Sequence, residues 1–232
     1  MNIKIDTQGI EYKTIANNIN FKNKAVLEIG CGDGSFSIKF EKICKSWLGI
    51  DIDSKGIMKA RKQNTPKMRF EQQNFLASRL KANFNIIFMR LSFHEIGESN
   101  MEKILLKSKL LLKRNGKIVI VDPQFGSELQ ELFNYFYKEE EIEHDKRLIK
   151  SREVLDELIA ENTLKSTRFF QYNVSYTFTD FRSLIEFISQ YWNFPKESVK
   201  QAKENIRKAL GTKAQNKPLT VYDQMNLFVL ST

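Results

Sequence analysis

Between Val26 and Ser37 the chain reads VLEIGCGDGSFS, with Gly30, Gly32 and Gly34 alternating after an apolar run and two carboxylates, Glu28 and Asp33, flanking them. Glycines at the exit of a strand let a ligand approach the backbone, because no Cβ stands in the way. A dinucleotide would call for G-x-G-x-x-G with its pyrophosphate on a helix N-terminus. Here Ser35 occupies the third glycine's place, and carboxylates beside the turn repel a pyrophosphate in a partly desolvated site. The same charges attract a ligand that carries an ammonium and a sulfonium. Asp51, in GIDID, adds a further carboxylate. His94 is one of two histidines, and its ordinary pKa suits proton transfer near neutrality. Glu95 and His144 are weaker candidates for the same task.

These residues need a frame, and the chain supplies an alternating one. Ala25–Ile29 (AVLEI) reads as a strand, followed by a helix over Ser35–Lys45 whose Phe36, Phe40, Ile43 and Cys44 share a face. Trp47–Ile50 is a second strand, and Ser54 caps a helix carrying Ile57, Met58 and Ala60. Met68–Gln73 and Phe84–Met89 are further strands. A helix over Met101–Leu112 ends at the turn Lys113–Gly116 (KRNG), and Lys117–Val121 follows as the fifth strand. Strands alternating with helices predict a parallel sheet with right-handed crossovers. Beyond Asp122 the rhythm changes. A helix over Phe125–Lys138, an acidic run Glu139–Glu143, and a helix Arg152–Glu161 capped by Ser151 are expected. A long strand Arg168–Phe178 then precedes a helix capped by Thr179, a helix opened by Pro195, and a closing strand Met225–Leu230.

The 232 residues bury one generous core, so a single domain over 1–232 is expected. The longest apolar runs are strand-length, well short of a membrane span, and Met1–Asn20 mixes charge and Asn in a way unlike a signal peptide. Cys31 and Cys44 are too few for a disulfide framework or a zinc cluster. A cytoplasmic protein without a membrane partner is the expectation. The net charge of +9 raises nucleic acid as a partner, but the lysines are spread from Lys4 to Lys217 and read as solvated surface.

Taken in order, these motifs resemble the class I S-adenosylmethionine-dependent methyltransferases. Their first motif, an acidic residue followed by G-x-G-x-G, is matched by Glu28, Gly30, Gly32 and Gly34, with Cys31 inside the turn. Their second, an acidic residue ending strand two, is matched by Asp51, with Ile52 placed against the adenine. Their third motif is an Asp, and here it falls on Asn74 in EQQNF, whose amide oxygen can still accept from an adenine amino group, beside the Phe75 backbone. Arg90 leads the stretch RLSFH after strand four, and LKRNGKIVIVDP resembles the family's passage into strand five. The likeness is strong over residues 20–123 and rests on helix–strand order beyond them.

What the resemblance implies is an α/β, Rossmann-like sheet of seven mostly parallel strands with helices on both faces and an antiparallel last strand. Segments 1–20, 124–150 and 179–212 would form a cap. It also implies a methyltransferase using S-adenosylmethionine and releasing S-adenosylhomocysteine, with the ligand at the carboxyl ends of the strands. Methyl transfer is an in-line displacement helped by positioning, and His94 would serve as base where the acceptor loses a proton. The loop Arg90-Leu91-Ser92-Phe93 lacks the N/D-P-P-Y/F run seen in enzymes acting on nucleobase amines, and the cysteines lie far from it. A small organic acceptor, apolar or aromatic to judge by Phe125, Phe133, Tyr135, Phe136 and Tyr137, is the favoured partner. The rivals are an RNA or protein methyltransferase using the Lys200, Lys203 and Arg207 face, and a non-catalytic S-adenosylmethionine-binding protein.

Overall fold

The computed structural model describes residues 3–136, 138–189 and 196–232. Eight strands occur among them: β1 (Ile3–Ile5), β2 (Ala25–Ile29), β3 (Ser46–Asp51), β4 (Met68–Gln72), β5 (Phe84–Arg90), β6 (Leu112–Pro123), β7 (Lys165–Phe178) and β8 (Leu219–Ser231). The helices are α1 (Ile10–Asn18), α2 (Ser54–Ala60), α3 (Glu98–Leu111), α4 (Glu128–Asn134), α5 (Lys138–Ala160), α6 (Phe181–Ser189) and α7 (Lys196–Leu210). The strands hydrogen-bond in the order β1-β7-β8-β6-β5-β2-β3-β4. β4, β3, β2, β5 and β6 are mutually parallel, and β1 pairs antiparallel with β7. Thr167 donates to the Val229 carbonyl and Gln171 to the Asn226 side chain, so β8 runs antiparallel to β7. This is the expected Rossmann-like α/β sheet with one additional strand, β1, whose three residues are too few to show an alternation.

The chain gathers into two compact units. One comprises Met1–Glu11, Pro123–Lys146 and Tyr172–Met225; the other comprises Tyr12–Asp122, Arg147–Gln171 and Asn226–Thr232. Much of the sequence expected to act as a cap belongs to the former. Its core joins Leu129, Leu132 and Phe136 to Leu184, Ile188 and Ile206. The latter unit has its own core, in which Leu27, Ile87, Met89, Ile118 and Ile120 meet Leu105, Leu155 and Leu158. All five residues of β2 are buried, as expected of a parallel strand covered on both faces.

Several local expectations are corrected. Ser35–Lys45 is not a helix but a short 3-10 turn, Ser37–Phe40. Phe36, Phe40, Trp47, Phe21 and Phe88 pack ring to ring there, with Phe21 and Phe40 centroids 4.5 Å apart, and this tertiary packing wins over the helical spacing. Asp53, not Ser54, caps α2, accepting from the amides of Lys55 and Gly56. The KRNG stretch lies within β6 as an irregularity: Phe84 pairs with Leu112 and Ile86 with Lys117, so four residues oppose one. Ser151 sits inside α5, donating to the Leu148 carbonyl instead of capping a new helix. Asp180 takes the capping task expected of Thr179, accepting from the Ser183 amide. Tyr137 and Pro195 lie outside the described residues.

Candidate functional site

The carboxyl ends of β2, β3 and β4 surround a cavity of about 490 Å³, within the usual range for small-molecule sites. Its wall begins where β2 stops. Gly30 donates to the Ile50 carbonyl at 2.8 Å and turns the chain with φ +77°. A Cβ on Gly30 would fall 2.4 Å from the Ser92 Cβ, so this glycine is required by close approach as well as by φ. Ser92 is fixed in turn, its hydroxyl donating to the Ile29 carbonyl at 2.8 Å. Gly32 differs: with φ +53°, a Cβ there would meet nothing within 4 Å, and Gly32 faces the cavity.

Asp51 binds the glycine turn to the end of β3. One carboxylate oxygen accepts from the Gly32 amide at 2.8 Å and the other from the Asp53 amide at 2.9 Å. Each oxygen retains a lone pair for a ligand hydroxyl. Ile52, beside it, is 72% exposed on the cavity wall, an apolar side chain left for a flat ligand to cover. Asn74 and the buried Phe75 complete this side. Leu91, also on the wall, holds φ +51°, a strained conformation for a leucine and one that clusters at functional sites.

Four of the residues expected to touch the cofactor are not on that wall. Glu28 is buried; one of its oxygens accepts from the Ser37 hydroxyl and from the Trp47 indole at 2.9 Å, so it points into the aromatic cluster. Burial pushes its carboxyl up to about 7, against the hydrogen bonds of Ser37 and Trp47 and the charge of Arg90. Cys31 is buried behind the turn, and burial together with the Glu28 and Asp51 charges raises its thiol well above the ordinary range. Gly34 lies against Phe70. Arg90 stacks its guanidinium 4.2 Å from the centre of the Phe36 ring. Asp33 is exposed at the turn, its pKa lowered by hydrogen bonds to Ser35.

His94 is also placed away from the wall. It is 4% exposed, its Nδ1 lies 2.8 Å from an Asp122 oxygen, and its Nε2 lies 3.2 Å from Glu95. Its backbone amide donates to the other Asp122 oxygen at 3.1 Å. Burial alone pushes the imidazole down, but Asp122 and Glu95 together outweigh it and lift the pKa to about 9. Both ring nitrogens of His94 are thus engaged in this geometry, by Asp122 and by Glu95. Glu95 reaches the cavity instead, with Arg147 3.4 Å behind it. His144 lies on α5.

Gln73 is a wall residue that the sequence reading passed over. Its side-chain carbonyl oxygen is buried without a hydrogen-bond partner among the described residues. The available signal was positional: Gln73 directly follows the last residue of β4, where side chains meet the carboxyl edge of the sheet. Ser92 carried no such signal, since its place opposite Gly30 emerges only in the fold. The wall carries two carboxylates, Asp51 and Glu95, and neither Lys nor Arg. The charge of Glu95 is met by His94 and Arg147, so Asp51 is the carboxylate that favours a positively charged ligand over a pyrophosphate.

Comparison with known proteins places this chain in a family. A family model described as a methyltransferase domain matches residues 20–208. An uncharacterized methyltransferase of Anoxybacillus flavithermus is 30% identical over 116 residues, covering 49% of this chain and 54% of that protein. The chain thus spans about half the length of the curated relatives it matches. A candidate methyltransferase structure from Bacillus halodurans superposes with a TM-score of 0.68 at 16% identity, over 95% of this chain and 98% of that one. Phosphoethanolamine N-methyltransferase 2 of Haemonchus contortus, solved with phosphomonomethylethanolamine and S-adenosylhomocysteine, gives a TM-score of 0.58 at 15% identity over 97% of this chain and 53% of that one. Both structural likenesses concern the fold. With the family model spanning most of the chain over this glycine turn and parallel sheet, the protein belongs to the class I S-adenosylmethionine-dependent methyltransferases.

Proposed function

We propose that the protein transfers a methyl group from S-adenosylmethionine to an oxygen, nitrogen or carbon atom of a small organic acceptor. The observation that carries this reading is the cavity wall, on which Asp51 stands beside the glycine turn with no Lys or Arg among the lining residues, suited to a cofactor bearing an ammonium and a sulfonium. When bound, S-adenosylmethionine supplies a methyl group already activated by a sulfonium leaving group. Asp51 would hold the ribose hydroxyls while keeping Gly32 in place. Ile52, Asn74 and the Phe75 backbone would hold the adenine, and Gly30 and Gly32 would admit the remainder against the chain. Glu28, Cys31, Gly34 and Arg90 would act from behind, by fixing the turn and its aromatic support.

On the acceptor side, Glu95 is the ionisable group on the wall other than Asp51, and with one oxygen on His94 and the other on Arg147 it would orient the acceptor. His94, with Asp122, aims that carboxylate and is a positioning residue. Positioning of acceptor and methyl in line would supply much of the rate. An apolar or aromatic acceptor is supported by the exposure of Phe125 and Tyr135, which the core does not use, whereas Phe133 and Phe136 pack with the core. The Lys200, Lys203 and Arg207 face of α7 is exposed opposite the buried Ala202 and Ile206, as on any amphipathic surface helix, so it adds no weight to an RNA or protein acceptor.

The test is transfer of labelled methyl to an extract split into small-molecule, RNA and protein fractions. Label in the small-molecule fraction supports the reading. Label confined to RNA or protein replaces the acceptor class, and absence of transfer despite S-adenosylmethionine binding would indicate a non-catalytic binder.

A further inference from the structure

The turn after β4 is gripped by a side chain from the helix α3. Lys107, on α3, places its ammonium 2.7 Å from the Phe75 carbonyl, 2.9 Å from that of Leu76, 2.7 Å from that of Ser78 and 3.1 Å from the Ser78 hydroxyl. It also lies 5.1 Å from the centre of the Phe75 ring. An ammonium has three N–H donors and no acceptor, so four oxygens at this range saturate it. The turn is wound to present them: the Ser78 amide and hydroxyl both donate back to the Phe75 carbonyl, at 3.1 and 2.7 Å. For the Leu76 and Ser78 carbonyls, the hydrogen bonds observed come from Lys107.

Three carbonyl dipoles converging on one point repel one another unless a cation or water stands there. Lys107 is half-buried, and its charge is met by these oxygens, with no carboxylate in an ion pair with it among the described residues. The same turn carries Phe75 and Leu76 on the cavity wall, directly after Gln73 and Asn74. α3 contributes Asn100 and Ile104 to that wall, so Lys107 ties two of its sides together.

We propose that Lys107 is a positioning residue for the purine end of the cofactor cavity, acting by gathering the carbonyls of Phe75, Leu76 and Ser78 and so fixing the wall from Gln73 to Leu76. This rests on the reading of the cavity as the cofactor site. Removing the ammonium frees the turn and weakens binding of any ligand that uses the purine end, whether or not it carries the amino-acid end.

The experiment compares the full chain with Lys107→Met and with Lys103→Met, an exposed lysine on the same helix. Calorimetry is run with S-adenosylhomocysteine and with 5′-methylthioadenosine, which keeps the purine nucleoside and lacks the amino acid. Lys107→Met is expected to lose about tenfold or more in affinity for both ligands by a similar factor, about 1.4 kcal/mol at tenfold, with Lys103→Met unchanged. Hydrogen exchange of the unliganded protein should quicken at residues 75–78 while β2, β5 and β6 stay protected. Unchanged affinities, loss for S-adenosylhomocysteine alone, or faster exchange throughout the sheet would each overturn the proposal. Failure of the unsubstituted protein to bind S-adenosylhomocysteine would instead strike the reading of the cavity.

Discussion

The Nδ1 of His94 lies 2.8 Å from an Asp122 oxygen, and both side chains are almost wholly buried. That contact carries a pH dependence whose sign can be worked out. The folded protein holds the His94 proton up to about pH 9, against 6.5 for an ordinary histidine, because Asp122 and Glu95 outweigh the burial that lowers it. The stabilisation is therefore complete below about pH 6.5 and is lost as pH rises through 9. Asp122→Asn should destabilise the protein by about 3–5 kcal/mol at pH 7, the usual cost of leaving one buried charge unpaired. Urea unfolding should show the gap between the two proteins narrowing above pH 9. An equal gap at pH 7 and pH 10 would mean that His94 is neutral throughout.

Glu28 gives the opposite case. Its folded pKa of about 7 exceeds the ordinary 4.5, chiefly through burial, so the folded state binds the extra proton between those values. Stability must then fall as pH rises from 4.5 through 7. Glu28→Gln keeps the shape and an acceptor for Ser37 and Trp47 while removing the titration. Relative to the unsubstituted protein, the variant should gain roughly 2–4 kcal/mol between pH 5 and pH 8. Thermal unfolding at the two pH values measures it, and a constant difference would count against a buried, half-protonated Glu28.

Much of this was legible in the sequence, and the failures share a cause. The parallel core from β2 to β6 was readable because β2, β5 and the second half of β6 are apolar on both faces, β4 alternates Met68 and Phe70 with charged residues, and each strand is punctuated by a turn or helix start. Gly30, Gly32 and Asp51 were readable because φ, close approach and charge each demand a particular residue type. Glu28 was misplaced because spacing cannot say which way a strand residue points, and Trp47, distant in sequence, captures it. The helix expected at Ser35–Lys45 gave way to ring packing among residues from four separate segments. His94 stood out as a titratable residue, but its contact with Asp122, 28 positions away, is one that periodicity does not link to it. Lys107 looked like one surface lysine among many until the carbonyls of the turn after β4 were placed around it.

Asp51→Ala tests the reading of the cofactor site. The substitution removes contacts to ligand hydroxyls and also the acceptor of the Gly32 and Asp53 amides. Charge-assisted hydrogen bonds contribute on the order of 1.5–3 kcal/mol each, so S-adenosylhomocysteine affinity should fall at least tenfold, while NAD remains without measurable binding. Calorimetry decides it, and an unchanged dissociation constant would move the ribose contact to another residue.

The two glycines of the turn should fail in different ways. Gly30→Ala must place a methyl 2.4 Å from the Ser92 Cβ and keep φ at +77°, so it should cost several kcal/mol of stability. Adding Ser92→Gly removes the clash but not the backbone cost of about 1–2 kcal/mol, and the double variant should recover part of the loss. Gly32→Ala meets no neighbour within 4 Å and carries only that backbone cost, yet its methyl stands where the chain faces the cavity. Its melting temperature should drop little while S-adenosylhomocysteine affinity drops sharply. Equal losses of stability in both single variants, with affinity unchanged in Gly32→Ala, would mean that the ligand does not lie against Gly32 and that the turn is a purely structural junction between β2 and β3.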